Sequence, residues 1–233
     1  MKPITLQCLT ALALGCATTF AAAETVGSPA YLETVTAATP AGSLSSISGT
    51  VLVQRGGQPL PAANGSTIAA GDTVSVGGAS SALMRTTDSA LFQLSSDTQL
   101  RIANYAYAGS GAVAETRGPA MANYQIDRGL VRTVTGAIGK QSGDRYMVRA
   151  PEADIRVHGT DYSVQVANGL LVIVYSGTVT VSNDTGSVDV KTGQSLYVAS
   201  RSSRLAIQDE SELVIPRVIP LPTIPLPPPV SPS

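Results

Sequence analysis

Two nearly identical six-residue segments occur in this chain, at Ser48–Val53 and at Ser176–Val181. Both copies begin Ser-Gly-Thr-Val, with the glycine at Gly49 and at Gly177. The glycine interrupts the preceding element, and the β-branched residues that follow alternate in character. Such alternation is typical of a strand with one buried face. The repeat therefore predicts an all-β scaffold built from a duplicated strand unit.

Each copy is followed by a second strand-like segment that also starts with a glycine. Gly71–Val76 follows the first copy, and Gly193–Val198 follows the second. Taking these two segments as equivalents, we predict a single domain of many short strands with an internal pseudo-repeat. Regularly spaced strands with glycine turns suit a β-sandwich or jelly-roll-like fold, and they suit a solenoid-like stack as the alternative.

Strand-like runs recur at short intervals, and no window shows the periodicity of a long amphipathic helix. The run Leu170–Tyr175 is apolar without a break, which predicts a central strand covered on both sides. Ile173→Asp is then expected to unfold the domain. The predicted strands cover residues 47–54, 73–76, 82–86, 91–94, 99–103, 124–127, 130–135, 146–149, 154–158, 161–167, 170–175, 178–182, 187–191 and 195–199.

The β domain is predicted to span residues 47–207. Residues 24–46 are rich in Ala, Thr, Ser and Gly and are expected to form a flexible leader. Residues 208–233 form a proline-rich tail, with eight of the chain's 15 prolines after residue 213. Because proline cannot donate to a sheet ladder, we expect this tail to be disordered or extended as polyproline II.

Residues 1–23 have the features of a secretory signal peptide. Lys2 supplies a positive charge, Ile4–Gly15 is an apolar run, and three alanines end at Ala23. Cleavage between Ala23 and Glu24 would export the protein to the periplasm or the medium. The alternative is lipoprotein processing at Cys16, which follows a small residue.

Composition excludes several classes of function. Lys and Arg number 15 against 16 for Asp and Glu, so no charge excess favours nucleic acid as a partner. Both cysteines, Cys8 and Cys16, lie in the signal peptide, and the exported domain must rely on burial and strand pairing for its stability. No later run reaches the length of an integral membrane span.

The sequence offers no catalytic constellation, and we predict a non-enzyme with no metal and no cofactor. His158 is the single histidine, which excludes a multi-histidine metal site and leaves one candidate for a serine-type triad. By alternation it shares a strand face with Asp154 and Arg156, opposite Ile155 and Val157. A solvated polar face is the simpler interpretation.

Two places are candidates for binding a partner. One is the polar face that carries Arg156 and His158. The other is the Ala-, Gly- and Tyr-rich stretch 104–123, the longest candidate loop, with Tyr105 and Tyr107 at its start. Loops of this length are often functional, and they are equally often plain surface excursions.

Several blocks of the chain, in this order, resemble a FecR domain over about residues 47–199. The resemblance implies an all-β periplasmic domain, best known in regulators that pass a signal from outer-membrane iron-siderophore receptors to a sigma factor. In this chain we expect no sigma-binding region before the signal peptide and no membrane-spanning helix; it has no tryptophan, and Asp88-Ser89 stands where the family commonly has Asp-Gly. The blocks are Ser48–Val53, Gly71–Val74, Ser81–Met84, Asp88–Leu94, Thr98–Ile102, Ala150–Val164, Ser176–Val181 and Gly193-Gln194.

The glycine positions of these blocks are predicted to be structural. We expect a left-handed backbone at Gly159, which would let the chain turn before Thr160. Gly49, Gly177 and Gly193 are assigned the same kind of role.

These features favour an exported, non-enzymatic FecR-type domain that acts as a protein-binding or scaffold module of the bacterial cell envelope. Its partner would be an envelope protein or a peptidoglycan-associated protein. The alternative is a periplasmic signalling component that acts in trans on a siderophore-receptor and sigma-factor system.

Overall fold

The computed structural model describes residues 40–108, 119–141 and 145–209. Within these ranges every helix or strand is a β-strand, so the predicted all-β fold is confirmed. The strands are β1 Pro40–Ser48, β2 Val51–Arg55, β3 Gln58–Pro61, β4 Thr67–Ala69, β5 Thr73–Val76, β6 Ser81–Thr86, β7 Leu91–Leu94, β8 Gln99–Ala106, β9 Met121–Val134, β10 Tyr146–Arg149, β11 Asp154–Val166, β12 Leu170–Asn183, β13 Gly186–Lys191, β14 Gln194–Val198 and β15 Ala206–Asp209.

Hydrogen bonds join these strands into one continuous sheet that bends into two layers. The first layer has the order β3-β2-β5-β8-β9-β10-β11-β12-β13. The second layer has the order β4-β1-β6-β7-β9-β11-β12-β14-β15. All pairs are antiparallel except β9 with β10. Three long strands, β9, β11 and β12, belong to both layers.

Each of the three shared strands bends at a glycine in the left-handed region. The φ angles are +97° at Gly129 in β9, +66° at Gly159 in β11 and +89° at Gly177 in β12. Strands that cross between layers need such corners. The sequence predicted a separate strand on each side of every one of these glycines, because a glycine ordinarily interrupts a strand. In the structure the chain changes layers there without ending the strand.

One hydrophobic core lies between the layers and contains side chains from both. Phe92 of β7 in the second layer contacts Tyr124 of β9 in the first, with ring centroids 4.7 Å apart. Tyr124 in turn contacts Tyr146 of β10 at 5.5 Å. Two layers facing each other across one core correspond to the sandwich-like alternative of the two predicted architectures.

The predicted domain boundaries fall inside strands. β1 begins at Pro40, and Ala41 and Leu44 are fully buried in the core, so the end of the predicted leader at residue 46 lies within β1. The predicted start of the tail at residue 208 lies within β15. The predicted signal peptide, residues 24–39 of the leader and residues 210–233 of the tail are outside the described residues.

The duplicated segments occupy equivalent places at opposite ends of the sandwich. At Gly49 the chain passes from β1 in the second layer to β2 in the first, and at Gly177 β12 makes the same change. β4 returns beside β1 as β14 returns beside the first half of β12. The sequence-based pairing of Gly71 with Gly193 was therefore wrong, and the counterpart of Gly193 is Gly65. Both have positive φ, and their N–H groups donate to the carbonyls of Leu44 and Val174 at 2.8 and 2.9 Å.

β12 is central to strand pairing, but it is covered on one side only by the described residues. Leu170, Val172 and Val174 are buried, whereas Leu171 and Ile173 are half-buried and face outwards. Within the described residues, the second cover that the unbroken apolar run predicted is absent. Strand geometry points successive side chains to opposite faces, and no described element covers the outer face of this half of β12.

Candidate protein-binding surfaces

Arg156 and His158 lie on the outer face of the first layer, as alternation along β11 predicts. Cross-strand register places Met147 and Thr180 on either side of Arg156, and Thr178 beside His158. Ile155 and Val157, which alternate with them, are buried in the core. We call this outer surface the polar face; it includes Arg101, Gln125, Met147, Arg149, Asp154, Arg156, His158, Thr180, Asp189 and Lys191.

Ion pairs hold one corner of the polar face. The carboxylate of Asp154 lies 3.0 Å from the guanidinium of Arg201 and 3.8 Å from that of Arg149. Arg201 also reaches Asp184 at 3.6 Å. These charges are partly exposed, so each pair contributes little to stability, and they remain available to a charged or polar partner.

Tyr105 is a core residue in this structure. Its hydroxyl donates to Asp88 Oδ1 at 3.0 Å, accepts the backbone N–H of Asp88 at 3.0 Å and lies 2.8 Å from the hydroxyl of Thr87. Burial raises the pKa of Tyr105 to about 12. Tyr107, just after β8, is partly buried against the same core.

The structure does not bring the two tyrosines together with Arg156 and His158. β9 and β10 lie between β8, which carries Tyr105, and β11. The predicted loop 104–123 is shorter than expected, since β8 continues to Ala106 and β9 begins at Met121, and residues 109–118 lie outside the described residues. Partner binding by any of these four residues stays a prediction.

Asp88 joins both layers through buried hydrogen bonds. It lies in the turn between β6 and β7. Its carboxylate also accepts from the hydroxyl groups of Thr86 and Tyr105 and, at 3.1 Å, from the backbone N–H of Ile138. Every one of these donors is a neutral group of the fold, so Asp88 acts as a structural cross-link.

The outer face of the second layer carries several exposed apolar side chains, and sequence reasoning missed them. Tyr197 is 45% exposed, Val134 44% and Tyr175 41%. Cross-strand register aligns Leu171 with Tyr197 and Ile173 with Ser195. We call this outer surface the apolar face; its apolar members are Leu130, Val134, Leu171, Ile173, Tyr175 and Tyr197, and Gln165 lies between Leu130 and Leu171.

One ion pair lies within the apolar face. The guanidinium of Arg132 donates to both oxygens of Asp161, at 3.1 and 2.9 Å, and stacks over the ring of Tyr175 at 4.5 Å. The hydrogen bond to Asp161 raises the pKa of Arg132. Because Arg132 and Asp161 neutralise each other, neither side chain needs a charged group from a binding partner. The unbroken run Leu170–Tyr175 was the available sequence signal.

The described part of the chain has neither a candidate metal site nor a candidate membrane span. No group of three or more His, Cys, Asp or Glu residues in the described ranges is arranged to hold a metal ion. Over the same ranges, no helix is long and apolar enough to cross a membrane.

A protein-family model matches the central part of this chain. Residues 72–180 match the family model described as FecR protein. Over these residues the chain is similar to FecR proteins. The match includes all three layer-changing glycines, Gly129, Gly159 and Gly177, so the family sequence coincides with the corners of the fold. The resemblance inferred from the sequence is confirmed over these residues.

Two other comparisons complete this description. No curated protein matches the chain significantly. Two crystal structures of a proposed anti-sigma factor from Parabacteroides distasonis ATCC 8503 are similar to it, each with 14% sequence identity and a TM-score of 0.46. Each similarity spans 59% of this chain and 59% of the other.

Proposed function

We propose that this chain is an exported, non-enzymatic FecR-type domain that binds another protein of the bacterial cell envelope, as a scaffold or signalling module. The observation that carries the proposal is the FecR match over residues 72–180. Proteins of this family regulate through protein contacts. The partner is an envelope protein or a peptidoglycan-associated protein.

The polar face supports this function as a docking surface. It presents arginines and a histidine on a rigid sheet, and Arg156 and His158 are two residues apart on one strand. Arginine is enriched where protein interfaces bind most tightly, and exposed charges select partners and speed association. A sheet holds these side chains in a fixed register, so they can act together.

Complementation of a deletion strain tests the proposal. We expect the deletion to change a defined set of envelope or regulatory transcripts, and wild-type protein to restore them. The double variant Arg156→Glu, His158→Glu should fail to restore them while melting at the wild-type temperature. Arg85→Glu, an exposed arginine on a β-strand of the second layer, is the matched control and should restore them. Full restoration by the double variant would overturn the assignment of the polar face.

The FecR family favours one more specific function, signalling in trans to a siderophore receptor and its sigma factor. A sigma-dependent reporter, measured under iron limitation with and without ferric siderophore, tests this alternative. If this alternative holds, deletion of the gene should change induction of the reporter by at least several-fold. Unchanged induction would reject this alternative and leave the scaffold function in place.

Export is the part of the proposal that rests on residues 1–23. Mass spectrometry of the periplasmic fraction should find a mature protein that begins at Glu24. A lipid-modified chain that begins at Cys16 would replace this site with the lipoprotein alternative, and protein confined to the cytoplasm would contradict export.

A further inference from the structure

The apolar face and the C-terminal segment are both apolar, and no described element covers the face. Residues 210–233 follow β15 directly. We propose that this segment lies across the apolar face of its own chain, in contact with Tyr175 and Tyr197. The proposal is independent of partner binding at the polar face, which is on the other layer.

The position of the chain end favours this arrangement. The described chain ends at Asp209 in β15, the outermost strand of the second layer. Tyr197 lies on β14, the next strand, and Tyr175 lies on β12, one strand further. Neighbouring strands are about 4.8 Å apart, so both rings are within roughly 10–15 Å of β15 across the sheet. A segment of 24 residues in polyproline II form could extend roughly 70 Å.

The chemistry of the segment matches the face. Between Leu213 and Val230 its charged groups are limited to Arg217, and aliphatic residues alternate with prolines. Such a segment cannot extend the sheet, because proline has no N–H to donate. Polyproline II segments instead pack their rings and aliphatic side chains against exposed aromatic groups. Tyr175 and Tyr197 offer two such rings, bordered by Leu171 and Ile173.

The ion pair between Arg132 and Asp161 is compatible with an apolar segment bound to this face. Arg132 is already bound by Asp161 and by the ring of Tyr175, so the face does not need an acidic partner to neutralise it. An uncovered apolar surface of this kind on an exported protein favours association. Covering it with the protein's own segment removes that tendency at a small entropic cost, because the two are already joined.

Photo-crosslinking in the full chain tests the proposal. A photo-crosslinking amino acid replaces Leu221 in the C-terminal segment, and the linked peptides are identified by mass spectrometry. We expect intramolecular links to β12 and β14, concentrated at residues 171–175 and 195–198. The same amino acid at position 187 on β13, at the far edge of the first layer, is the control and should give no links to these residues.

Substitutions in the apolar face test whether the crosslinks depend on contact with its side chains or only on the short distance to β15. Tyr175→Ser with Tyr197→Ser should lower the yield of these links about tenfold, since the loss of two ring contacts amounts to roughly 1.4 kcal/mol or more. Ile173→Thr, a β-branched replacement on the same face, should lower the yield by a smaller factor. This variant provides the test if the double tyrosine variant fails to fold. Thr180→Ala on the polar face should leave it unchanged.

Two outcomes would overturn the proposal. Links that form only between two chains would make a second copy the occupant of the face. Links spread evenly over both layers would mean that the segment has no preferred site. Neither outcome bears on the polar-face variants, so failure here is distinguishable from failure of the proposed function.

Discussion

Three glycines at the bends of β9, β11 and β12 are needed for two different physical reasons. Gly159 has a φ of +66°, and a Cβ at this position would make only ordinary van der Waals contacts, the nearest with Lys140 at 3.8 Å. At Gly177 a Cβ would lie 2.7 Å from the carbonyl oxygen of Gly159. A side chain at Gly159 is therefore disfavoured by backbone conformation alone, whereas one at Gly177 also meets the neighbouring bend.

This difference gives a matched pair of variants. Gly159→Ala should lower the free energy of unfolding by about 1–2 kcal/mol, the cost of a left-handed residue with a Cβ. Gly177→Ala should cost about 1–3 kcal/mol more, because the backbone of β11 must move. Urea denaturation of both variants measures the two values. Equal losses would show that the contact between the two bends does not matter.

Ser89 is a second residue at which the backbone decides the outcome. Its φ is +69°, in the turn between β6 and β7, at the position where FecR domains commonly have glycine. Ser89→Gly should raise the free energy of unfolding by about 0.5–1 kcal/mol, because relief of the left-handed strain exceeds the entropy lost by glycine. Ser187→Gly in β13 is the control and should lower it by about 0.5–1 kcal/mol. Thermal melts give the sign of each effect, and a lower melting temperature for Ser89→Gly would contradict this account.

At the scale of elements, β12 has two different environments on its two faces. Val172 is fully buried and Ile173 is half-buried on the apolar face. Val172→Asp should abolish cooperative folding, since an unpaired carboxylate in the core costs several kcal/mol. Ile173→Asp should cost only about 1–2 kcal/mol and leave the fold intact. Circular dichroism melts test both, and unfolding of the Ile173 variant would contradict the half-buried environment of this side chain.

The strands could largely be predicted from the sequence, and the connections between them could not. Alternation located β5, β7 and β10 at their observed bounds. It did not locate β1, because Pro40–Ser48 is rich in small polar residues and only Ala41 and Leu44 mark its buried side. Alternation also cannot tell whether a glycine ends a strand or bends it, since that depends on which strands pair on either side.

The candidate surfaces could also be predicted only in part from the sequence. Arg156 and His158 were placed on an outer face by alternation alone, and the structure agrees. Tyr105 was assigned to a loop because the residues after it are small, but its hydroxyl binds Asp88, a contact 17 residues away that no local pattern reports. The apolar face was missed because an unbroken apolar run has apolar side chains on both faces of the strand. The sequence alone therefore does not show which face is exposed.

At the scale of the whole molecule, buried tyrosines make the fold sensitive to alkali. Burial raises the pKa values of Tyr124, Tyr146 and Tyr162 well above the ordinary tyrosine value near 10. An unfolded chain ionises these phenols from about pH 10, whereas the folded chain does not, so their contribution is full below pH 10 and is lost as the pH rises toward the folded pKa values. Each phenol costs roughly 1.4 kcal/mol per pH unit in that range.

We therefore expect unfolding between about pH 10 and 12, with phenolate absorbance rising together with the loss of circular dichroism. Tyr162→Phe keeps the ring, removes one ionisable group and should move the midpoint to higher pH. Ionisation of all tyrosines at pH 10 without unfolding would contradict their burial.

The two outer faces give the molecule a division of roles. The polar face of the first layer is proposed to bind a partner, and the apolar face of the second layer is proposed to hold the chain's own C-terminal segment. Because the layers are joined through β9, β11 and β12, both faces have fixed positions on one sheet. A single domain without helices in its described part can thus carry two separate contacts.

Photo-crosslinking in living cells tests partner binding most directly. A photo-crosslinking amino acid is placed at Thr180 on the polar face and, as control, at Arg85 on the second layer. We predict a discrete adduct with another envelope protein from position 180, none from position 85, and loss of the adduct when Arg156→Glu is added. No adduct from position 180, or the same adducts from both positions, would contradict the proposal that this domain acts through its polar face.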